Sequence, residues 1–409
     1  MRRIDAWAGV AVCLALTALR KLGDLRRAAR RRPAEITRIL FVKPAEQGAT
    51  VLAYPAIRWA VRQVGRENVY FLVFEENRLI LDVMEIVPPE NVITIPTRGL
   101  LRLLAGTFRA LRRIRRLRID ATVDLEFFAR ASAALTYLSG APVRVGLHRF
   151  DDAAPYRGDL MTHRFRYDPA VHISQLFESM ARAILLSPED LSGATLDAPP
   201  VDSTLPTFAP RPEELAGVKA MLADHVRGRA YSPLVLLNAN ASDILPVRRW
   251  PSERYVELAR RLVERSAAVH VAFTGAPNEA EHARRLAAAV ASERCFSLAG
   301  KTTLRELLVL YCLADVLVTN DSGPAHFASL TPIRSAVLFG PEMPARFGSM
   351  SPRSHIFWAH LACSPCVTAY NNRLSRCRDN VCMKRITVDE VLEKVCEICG
   401  LPGKGPVSA

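Results

Sequence analysis

The sequence lacks a continuous apolar run long enough to cross a bilayer. Its most apolar N-terminal segment, Ile4–Leu19, is shorter than the roughly 20 residues that a spanning helix needs. A convincing small-residue cleavage site is also missing, because a basic run from Arg20 to Arg32 follows, and this disfavours a cleaved secretory signal. We expect that the N-terminal segment anchors the protein, either at the membrane interface or as a single span, and that the rest of the chain lies in the cytoplasm. A cleaved signal and an ordinary docked terminal helix remain as alternatives.

Acidic residues are scarce in two stretches of the chain. Residues 1–35 hold nine Arg or Lys against three acidic residues, and residues 98–118 hold eight arginines and no acidic residue. Together the two stretches account for the whole formal net charge of +14. No module of interleaved basic and aromatic residues is found, which argues against nucleic acid as a partner. Two compact basic patches fit an anionic membrane surface better.

The second basic stretch has the periodicity of an amphipathic helix over Arg102–Arg118. Its apolar side chains form one predicted stripe, which consists of Leu101, Leu104, Phe108, Leu111, Ile114 and Leu117. One interpretation is a helix that docks on its domain through this stripe and leaves a solvated basic face. The other is that the basic face lies against anionic lipid.

Apolar strands alternate with helical patterns along the rest of the chain. In the first half we predict a loop at Pro44–Thr50, a helix at Val51–Val64, and strands at Ile39–Val42, Val69–Phe74, Ala121–Leu125 and Pro142–Gly146. In the second half we predict strands at Leu234–Asn238, Val269–Thr274, Cys295–Leu298, Val316–Thr319 and Ser335–Phe339. The helices between them are predicted at Ser252–Ser266, with Ser252 as N-cap, and at Glu279–Val290, Thr303–Leu313 and Pro324–Leu330.

This alternation indicates βαβ units and parallel sheets. The fold class is therefore α/β, with two Rossmann-like doubly wound domains whose ligands are expected at the carboxyl ends of the strands. The proline-rich residues 197–216 interrupt the periodicity and are typical of a linker. We predict an N-terminal helix and basic flank at 1–35, domains at 36–205 and 206–395, and a tail at 396–409.

The motif that carries most chemistry is Thr319–His326, directly after an apolar strand. Its residues suit a helix start at which an anion binds, namely the capping residues Asp321 and Ser322, then Gly323, Pro324 and His326. A helix N-terminus at a strand end is suited to a diphosphate, and His326 can add a hydrogen bond to a phosphate. The alternative is a well-capped helix with a packed histidine.

These residues resemble the hallmark of glycosyltransferase family 9, the heptosyltransferase-like family, which is D-S-G-P-x-H followed by a strand and a Phe-Gly-Pro turn. This sequence has Asp321–Pro324, His326 and Phe339–Pro341. Residues Ala299–Leu307 are similar to the family's segment that borders the nucleotide base. Residues Asn238–Ser242, followed by Arg248-Arg249-Trp250-Pro251, resemble its phosphate-facing loop and the basic residue before Trp-Pro. Members usually carry Lys where Arg248 stands, and arginine keeps the charge while it offers two donors.

The resemblance implies the GT-B architecture, in which two Rossmann-like domains face each other across a cleft. It also implies an inverting, cofactor-free transfer from a nucleotide-diphospho-sugar, with ADP-heptose as the leading donor. The leading acceptor is lipopolysaccharide core, or another lipid-linked or polysaccharide glycan. The donor-binding residues implied are Asn240, Ser242, Arg248, Gly300, Lys301, Thr302, Asp321, Ser322, Gly323, Pro324 and His326. No D-x-D motif occurs, which fits metal-independent catalysis.

The catalytic base is expected in the first strand-to-helix loop, where relatives have Gly-Asp and this chain has Gly48-Ala49. We predict that Glu46, in the same loop, replaces the missing aspartate. Its alternatives are a solvated loop glutamate, or a base at Asp124 or Glu126, with Asp124 better suited to a structural or acceptor-orienting role. Predicted acceptor-binding residues are Gly48, Asp124, Glu126 and Arg149.

A cluster of basic and aromatic side chains in the first half binds an anionic acceptor or forms a solvated face, and both readings stay open. The cluster consists of Arg130, Arg144, His148, Arg149, Tyr156, Arg157, His163 and His172.

Four cysteines near the end of the chain have spacing that allows a zinc site, although we assign no metal. They are Cys363, Cys366, Cys377 and Cys382. Free or redox-labile thiols are favoured over zinc, and cytoplasmic placement argues against a disulfide.

Two rival functions remain. The same fold serves nucleotide-sugar 2-epimerases, although such an activity leaves the basic elements unexplained. The absence of the aspartate at Ala49 also fits a catalytically inactive scaffold in envelope polysaccharide assembly.

Overall fold

The computed structural model describes residues 2–26, 35–150, 154–191, 199–200, 204–228, 231–241, 245–371 and 375–402. The chain forms two compact units. The first comprises Met1–Asp202 and Thr368–Arg373, and the second comprises Ser203–Val367 and Leu374–Ala409. The predicted boundary is 205/206, and the sequence has no signal that residues 368–373 belong with the first unit.

The first unit is built on one parallel sheet. Its strands are β1 (Ile39–Val42), β2 (Val69–Phe74), β3 (Val92–Ile95), β4 (Ala121–Asp124), β5 (Val143–Leu147) and β6 (His163–Phe165). They are ordered β3-β2-β1-β4-β5-β6, and every neighbouring pair is parallel. Strand β1 is a continuous apolar run that is wholly buried, as expected for a central strand covered on both faces.

Within the described residues of this unit, seven α-helices accompany the sheet. They are α1 (Arg2–Arg26), α2 (Gln47–Leu52), α3 (Tyr54–Val64), α4 (Leu79–Met84), α5 (Leu100–Leu117), α6 (Arg130–Leu138) and α7 (Ile173–Arg182).

The second unit repeats the plan. Its strands are β7 (Leu234–Asn238), β8 (His270–Phe273), β9 (Cys295–Ser297), β10 (Val316–Asn320), β11 (Arg334–Phe339) and β12 (Ser354–Trp358). They are ordered β12-β11-β10-β7-β8-β9, all parallel. Its helices are α8 (Pro212–Val226), α9 (Ser252–Arg265), α10 (Ala280–Val290), α11 (Leu304–Leu313), α12 (Gly323–Ala328), α13 (Pro344–Phe347), α14 (Val381–Lys384) and α15 (Val388–Cys399).

Each sheet has the strand order of a doubly wound nucleotide-binding fold, which reverses between its first and fourth strands. In such sheets ligands bind beyond the carboxyl ends of the strands at this switch point. The switch points lie between β1 and β4 in the first unit and between β7 and β10 in the second. Functional side chains are therefore expected in the loops that follow these four strands.

Several element bounds differ from those predicted. Helix α2 begins at Gln47, inside the predicted loop Pro44–Thr50. Ser252 is the first residue of α9 and not its N-cap, which is Pro251 and makes no side-chain capping bond. Helix α8 begins at Pro212, within the predicted linker, and α15 continues past residue 396, where we placed the start of a tail.

The N-terminal helix α1 packs on α6. The Asp5 carboxylate accepts hydrogen bonds from the backbone amides of Arg130 (3.2 Å) and Ala131 (2.7 Å) at the start of α6. Cys13, on the inner side of α1, is fully buried, and Arg20 of the same helix forms an ion pair with Asp159. Among the described helices, none combines the length and the apolarity that a membrane crossing requires.

The predicted face of α5 is wrong in its N-terminal half. The buried side of the helix is formed by Gly106, Ala110 and Ile114, whereas Leu101 and Phe108 of the predicted stripe are exposed. Gly106 explains the choice of face, since an added Cβ would lie 2.3 Å from Cδ of Pro96. The small residues let the helix approach the sheet more closely than a leucine stripe would.

Candidate functional site

The switch point of the second unit brings together the loops that follow β7 and β10. Asn320 at the end of β10 joins them, because its amide Nδ2 donates to the backbone oxygen of Asn240 (3.1 Å). Its Oδ1 accepts from the backbone amide of Trp250 (3.0 Å). Asn320 is fully buried, and it therefore fixes the segments around Asn240 and Arg248 against the end of β10.

Arg248 lies between two acidic side chains at this edge. Its Nε is 3.7 Å from Oδ2 of Asp321, and its Nη2 is 2.8 Å from Oε1 of Glu342. A further bond runs from Nη1 to the backbone oxygen of Asp321 (3.3 Å). The guanidinium is only 11% exposed, so it is held in one orientation before any ligand binds.

Helix α12 starts directly beside Arg248. It is a six-residue helix with Gly323 first, Pro324 second and Ser322 as the N-cap residue. The Ser322 hydroxyl donates to the backbone oxygen of Asn320 (3.1 Å) and makes no capping bond to the helix. The first amides of an α-helix have no acceptor within the helix, and anions favour this end. His326 is buried within α12.

The loop after β9 adjoins the same edge. Gly300 has a positive φ of +75°, and its amide donates to the backbone oxygen of Gly275 (2.9 Å). An added Cβ on Gly275 would lie 2.7 Å from Nδ2 of Asn240, so the loops after β7, β8 and β9 are in close contact. Lys301 is exposed, and its Nζ lies 3.0 Å from Nε2 of His225.

The switch point of the first unit holds a second cluster of charged groups. Lys43 follows β1 and its side chain is wholly buried. Its Nζ is 3.1 Å from Oε2 of Glu126 and 3.6 Å from Oε2 of Glu46, and it donates to the backbone oxygen of Ala45 (2.8 Å). Burial raises the pKa of Glu126, and the Lys43 ammonium opposes this rise.

Glu46 is the most exposed carboxylate of this cluster, with 31% of its side chain accessible against 11% for Glu126. It is the N-cap residue of α2 and has a left-handed backbone, with φ at +68°. A non-glycine residue in this conformation is strained. Gly48 is the second residue of α2 and is buried.

Asp124, at the end of β4, is buried and its carboxylate is paired within the protein interior. It forms an ion pair with Arg157 and accepts from the Ser132 hydroxyl (3.0 Å) and from the Glu126 amide (3.0 Å). Asp124 and Arg157 are both essentially inaccessible. This arrangement is that of a structural group, which sets the direction of the Glu126 backbone.

The predicted cluster of basic and aromatic side chains is neither one binding surface nor one solvated face. Arg157 and His163 are buried, His172 caps α7, and Arg144 donates to the backbone oxygens of Ala141 and Leu160. Arg149 is partly buried in the segment after β5.

Comparison with known proteins decides which family this fold and these loops represent. The sequence profile described as glycosyltransferase family 9 (heptosyltransferase) matches residues 107–375. This chain belongs to glycosyltransferase family 9. Lipopolysaccharide heptosyltransferase 2 of Salmonella typhimurium is 30% identical over 146 residues, which are 35% of this chain. The chain spans 41% of the length of that relative.

Solved family 9 structures share the fold. The Escherichia coli ADP-heptose LPS heptosyltransferase II aligns with a TM-score of 0.66 at 20% identity, over 88% of this chain and 98% of that chain. The E. coli heptosyltransferase WaaC with ADP aligns with a TM-score of 0.61 at 19% identity, over 88% and 99% of the two chains. At these identities the likeness concerns the fold alone. The predicted GT-B fold class and family 9 membership are confirmed.

The family 9 residues predicted from the motifs lie where the fold directs them, at the carboxyl ends of the strands. Asn240, Arg248 and Asp321 are linked by direct contacts or through Asn320, and Gly300 adjoins them through Gly275. Ser242 lies outside the described residues. Thr302, next to Lys301, is partly buried.

Sequence reasoning missed three residues of these clusters: Lys43, Asn320 and Glu342. Each had a signal, since Lys43 and Asn320 directly follow or end an apolar strand and Glu342 follows the Phe-Gly-Pro turn. A polar side chain at the end of a buried parallel strand points to the ligand edge of a doubly wound sheet. The pairing of Lys43 with Glu126, 83 positions on, had no local signal.

The four cysteines considered for zinc are free thiols, as are the other described cysteines. No three His, Cys, Asp or Glu side chains within the described ranges are arranged to hold a metal ion. Burial raises the pKa of the Cys382 thiol to about 11, so this thiol is protonated at neutral pH.

Proposed function

We propose that this protein is an inverting, metal-independent glycosyltransferase that moves a sugar from a nucleotide-diphospho-sugar to a glycan of the cell envelope. The leading donor is ADP-heptose and the leading acceptor is lipopolysaccharide core. The names of the relatives support this, since Salmonella lipopolysaccharide heptosyltransferase 2 matches in sequence and an E. coli ADP-heptose LPS heptosyltransferase II matches in fold.

The observation that carries the donor site is the meeting of Arg248 with the Asp321–Gly323 turn at the switch point of the second unit. A departing nucleoside diphosphate needs positive charge and hydrogen-bond donors at its phosphates. The guanidinium and the backbone amide of Gly323, the first residue of α12, supply them, because Pro324 has no amide hydrogen and the Ala325 amide already donates to the Ser322 oxygen (3.1 Å). Gly300 and Lys301 lie in the loop that borders the nucleotide base, as the family resemblance implies.

The acceptor hydroxyl is activated in the first unit. Glu46 takes its proton as the hydroxyl oxygen attacks the anomeric carbon of the donor sugar. The bond from that carbon to the diphosphate breaks in the same step, and the leaving diphosphate keeps the electron pair. One displacement inverts the anomeric configuration. Glu46 is favoured as base because it is the accessible carboxylate of the cluster, whereas Asp124 is occupied by Arg157 and Ser132.

We further propose that the protein works at the cytoplasmic side of an anionic membrane, where a lipid-linked acceptor would be found. The excess positive charge of residues 1–35 and 98–118 supports attraction to such a surface.

A thermal-shift panel of ADP, UDP, GDP and CDP tests the donor site. A ligand that binds only the folded protein raises its unfolding temperature by mass action, and we expect the largest rise with ADP. The Arg248→Gln variant should bind ADP roughly tenfold to a hundredfold more weakly, because it loses a charge-assisted bond to phosphate. Arg260→Gln is a matched control, since Arg260 is exposed on α9 of the same unit.

Two outcomes would contradict the proposal. One is that no diphosphate stabilises the wild-type protein at millimolar concentration. The other is that Arg248→Gln and Arg260→Gln retain the same ADP affinity. A donor-only incubation that isomerises the sugar would support the epimerase alternative instead.

A further inference from the structure

Four large apolar side chains on the first half of α5 face solvent. Their exposed fractions are 65% for Leu100, 82% for Leu101, 58% for Leu104 and 67% for Phe108. We call these four residues the α5 stripe. Their spacing places them on one side of the helix, along roughly 12 Å of its axis at 1.5 Å per residue. A contiguous apolar patch of this kind is unusual on a soluble surface and marks an interaction site.

The fold does not need the α5 stripe for its own stability. Helix α5 is attached to the sheet by its other side, through the buried Gly106, Ala110 and Ile114. Ala110 and Ile114 pack in the core with Leu40 of β1 and Ile93 of β3. Leucine and phenylalanine side chains that stay in water do not contribute the free energy of folding that buried apolar side chains contribute elsewhere in the unit. Their exposure is therefore best explained by a partner that covers them.

The charge around the stripe indicates the chemistry of that partner. Arg109, Arg112 and Arg116 are exposed on the second half of the same helix, and residues 98–118 contain no acidic residue. Within the described part of the chain, none of the three arginines has an acidic side chain within ion-pair distance. Apolar and cationic groups side by side on one exposed helix match the interface of an anionic bilayer.

We propose that α5 is a membrane-docking helix, in which the α5 stripe enters the acyl-headgroup boundary while Arg109, Arg112 and Arg116 contact anionic headgroups. This assignment reverses the sequence-based hypothesis, in which the apolar residues were turned inward and only the basic face met lipid. It deepens the proposed location at an anionic membrane. Vesicle binding requires neither donor nor acceptor, so its failure is distinguishable from failure of the transferase proposal.

Flotation of the full-length protein with vesicles tests the assignment. Vesicles contain phosphatidylcholine alone or with about one third phosphatidylglycerol, and binding should be strong only with the anionic lipid and should fall as salt rises. The double variant Leu101→Gln, Phe108→Gln should lose at least about tenfold in affinity, because it removes two inserted side chains. Its control is Leu185→Gln, since Leu185 is 50% exposed elsewhere on the same unit.

The charge component is tested separately. Arg112→Gln should weaken binding about fivefold at low salt, whereas Arg62→Gln, an exposed arginine on α3, should leave it nearly unchanged. Trp7→Gln tests α1 as the membrane contact instead, since several large apolar side chains on α1 are exposed and Trp7 is the most exposed of them, at 85%. Binding that is lost in Trp7→Gln and retained in the α5 variants would overturn the assignment to α5.

The remaining outcomes are equally decisive. Equal binding by the stripe variant and Leu185→Gln, with unchanged unfolding temperatures, would refute the proposal. So would a wild-type dimer in light scattering that becomes monomeric in the stripe variant without any change in vesicle binding, because a second copy of the chain would then cover the stripe.

Discussion

Lys43 is expected to hold the acidic cluster of the first unit together, and the Lys43→Met variant tests this. Methionine keeps the length of the side chain but removes its charge. The Lys43 side chain is wholly buried, and its Nζ lies 3.1 Å from Oε2 of Glu126 and 3.6 Å from Oε2 of Glu46. The variant therefore leaves two carboxylates facing each other without their shared cation.

The size of the effect follows from this geometry. Removal of one partner of a buried ion pair costs about 3–5 kcal/mol of unfolding free energy. We expect the lower end, about 3 kcal/mol, because the Glu46 side chain is 31% exposed and water partly replaces the lost ammonium. For a unit of this size, the midpoint of thermal unfolding should fall by roughly 6–12 °C.

The loss of unfolding free energy in Lys43→Met should depend on pH in a defined direction. Burial already raises the pKa of Glu126, and Lys43 opposes the rise, so the variant should raise this pKa further. A carboxyl group whose pKa is higher in the folded than in the unfolded protein destabilises the fold as pH rises through that range. The difference between Lys43→Met and the wild type should thus be larger at pH 8 than at pH 5.

Calorimetric scans of five proteins at both pH values provide the measurement. They are the wild type, Lys43→Met, Glu126→Gln and the double variant, with the exposed Lys219→Met as a matched control. The double variant should be more stable than the sum of the single losses predicts, because no unpaired carboxylate remains at position 126. Strictly additive losses, or a deficit equal at pH 5 and pH 8, would refute the reasoning.

Three further expectations follow from single contacts. Glu46→Gln should lower the rate of sugar transfer about a hundredfold or more while ADP still raises the unfolding temperature, and an unchanged surface glycan would instead support the inactive-scaffold alternative. Gly300→Ala should lower stability by about 1–2 kcal/mol, because its φ is +75° and its Cβ would lie 3.2 Å from Cα of Pro277. Gly217→Ala, a helical glycine with open space around it, should be neutral or stabilising in the same melts. Asp5→Ala should cost about 1 kcal/mol and speed hydrogen exchange at the amides of Arg130 and Ala131, and unchanged exchange would exclude the cap.

The central strands could be predicted because their surroundings leave few choices. Ile39–Val42, Val69–Phe74 and Leu234–Asn238 are found at the predicted bounds, since strands covered by helices on both faces are continuous apolar runs. The edge strands β3, β6 and β12 were missed. Strand β3 (Val92–Ile95) is a short apolar run and had the same signal as the strands that were predicted. Strand β6 has an arginine between its buried residues, and β12 is only partly buried, so neither has the apolar run of a central strand.

The face of α5 shows where periodicity fails. Large apolar residues line one side of the helix, and hydrophobic periodicity predicted that this side is buried. The structure buries the side with Gly106 and Ala110, because small residues allow close contact with Pro96 at the end of β3. Hydrophobic periodicity counts apolar side chains, whereas packing depends on how closely two backbones can approach.

The motifs of the candidate site could be predicted from the sequence, but the contacts between their residues could not. Asp321 and Arg248 were selected from their local sequence, but their direct contact depends on strand order. The same is true of the contacts that Asn320 and Glu342 make beside them. Lys43 was not selected, because its partner Glu126 follows a different strand. Such pairs become visible only when β1 and β4 are placed side by side.

The helix that follows β1 supports the proposal that Glu46 replaces the family's aspartate. Glu46 is the N-cap residue of α2 but makes no side-chain capping bond, and Ala49, where the family resemblance implies the aspartate, lies three residues later in the first turn. A side chain in the first turn of a helix leans toward the helix N-terminus, which is the end of α2 where Glu46 lies. An aspartate at position 49 would therefore point toward the space that the longer Glu46 side chain already reaches. We expect Ala49→Asp to restore transfer in the Glu46→Gln background by at least tenfold, whereas Ala49→Asn should not. If neither variant restores activity while both bind ADP like the wild type, the two carboxylates do not serve one position, and the base must be sought elsewhere.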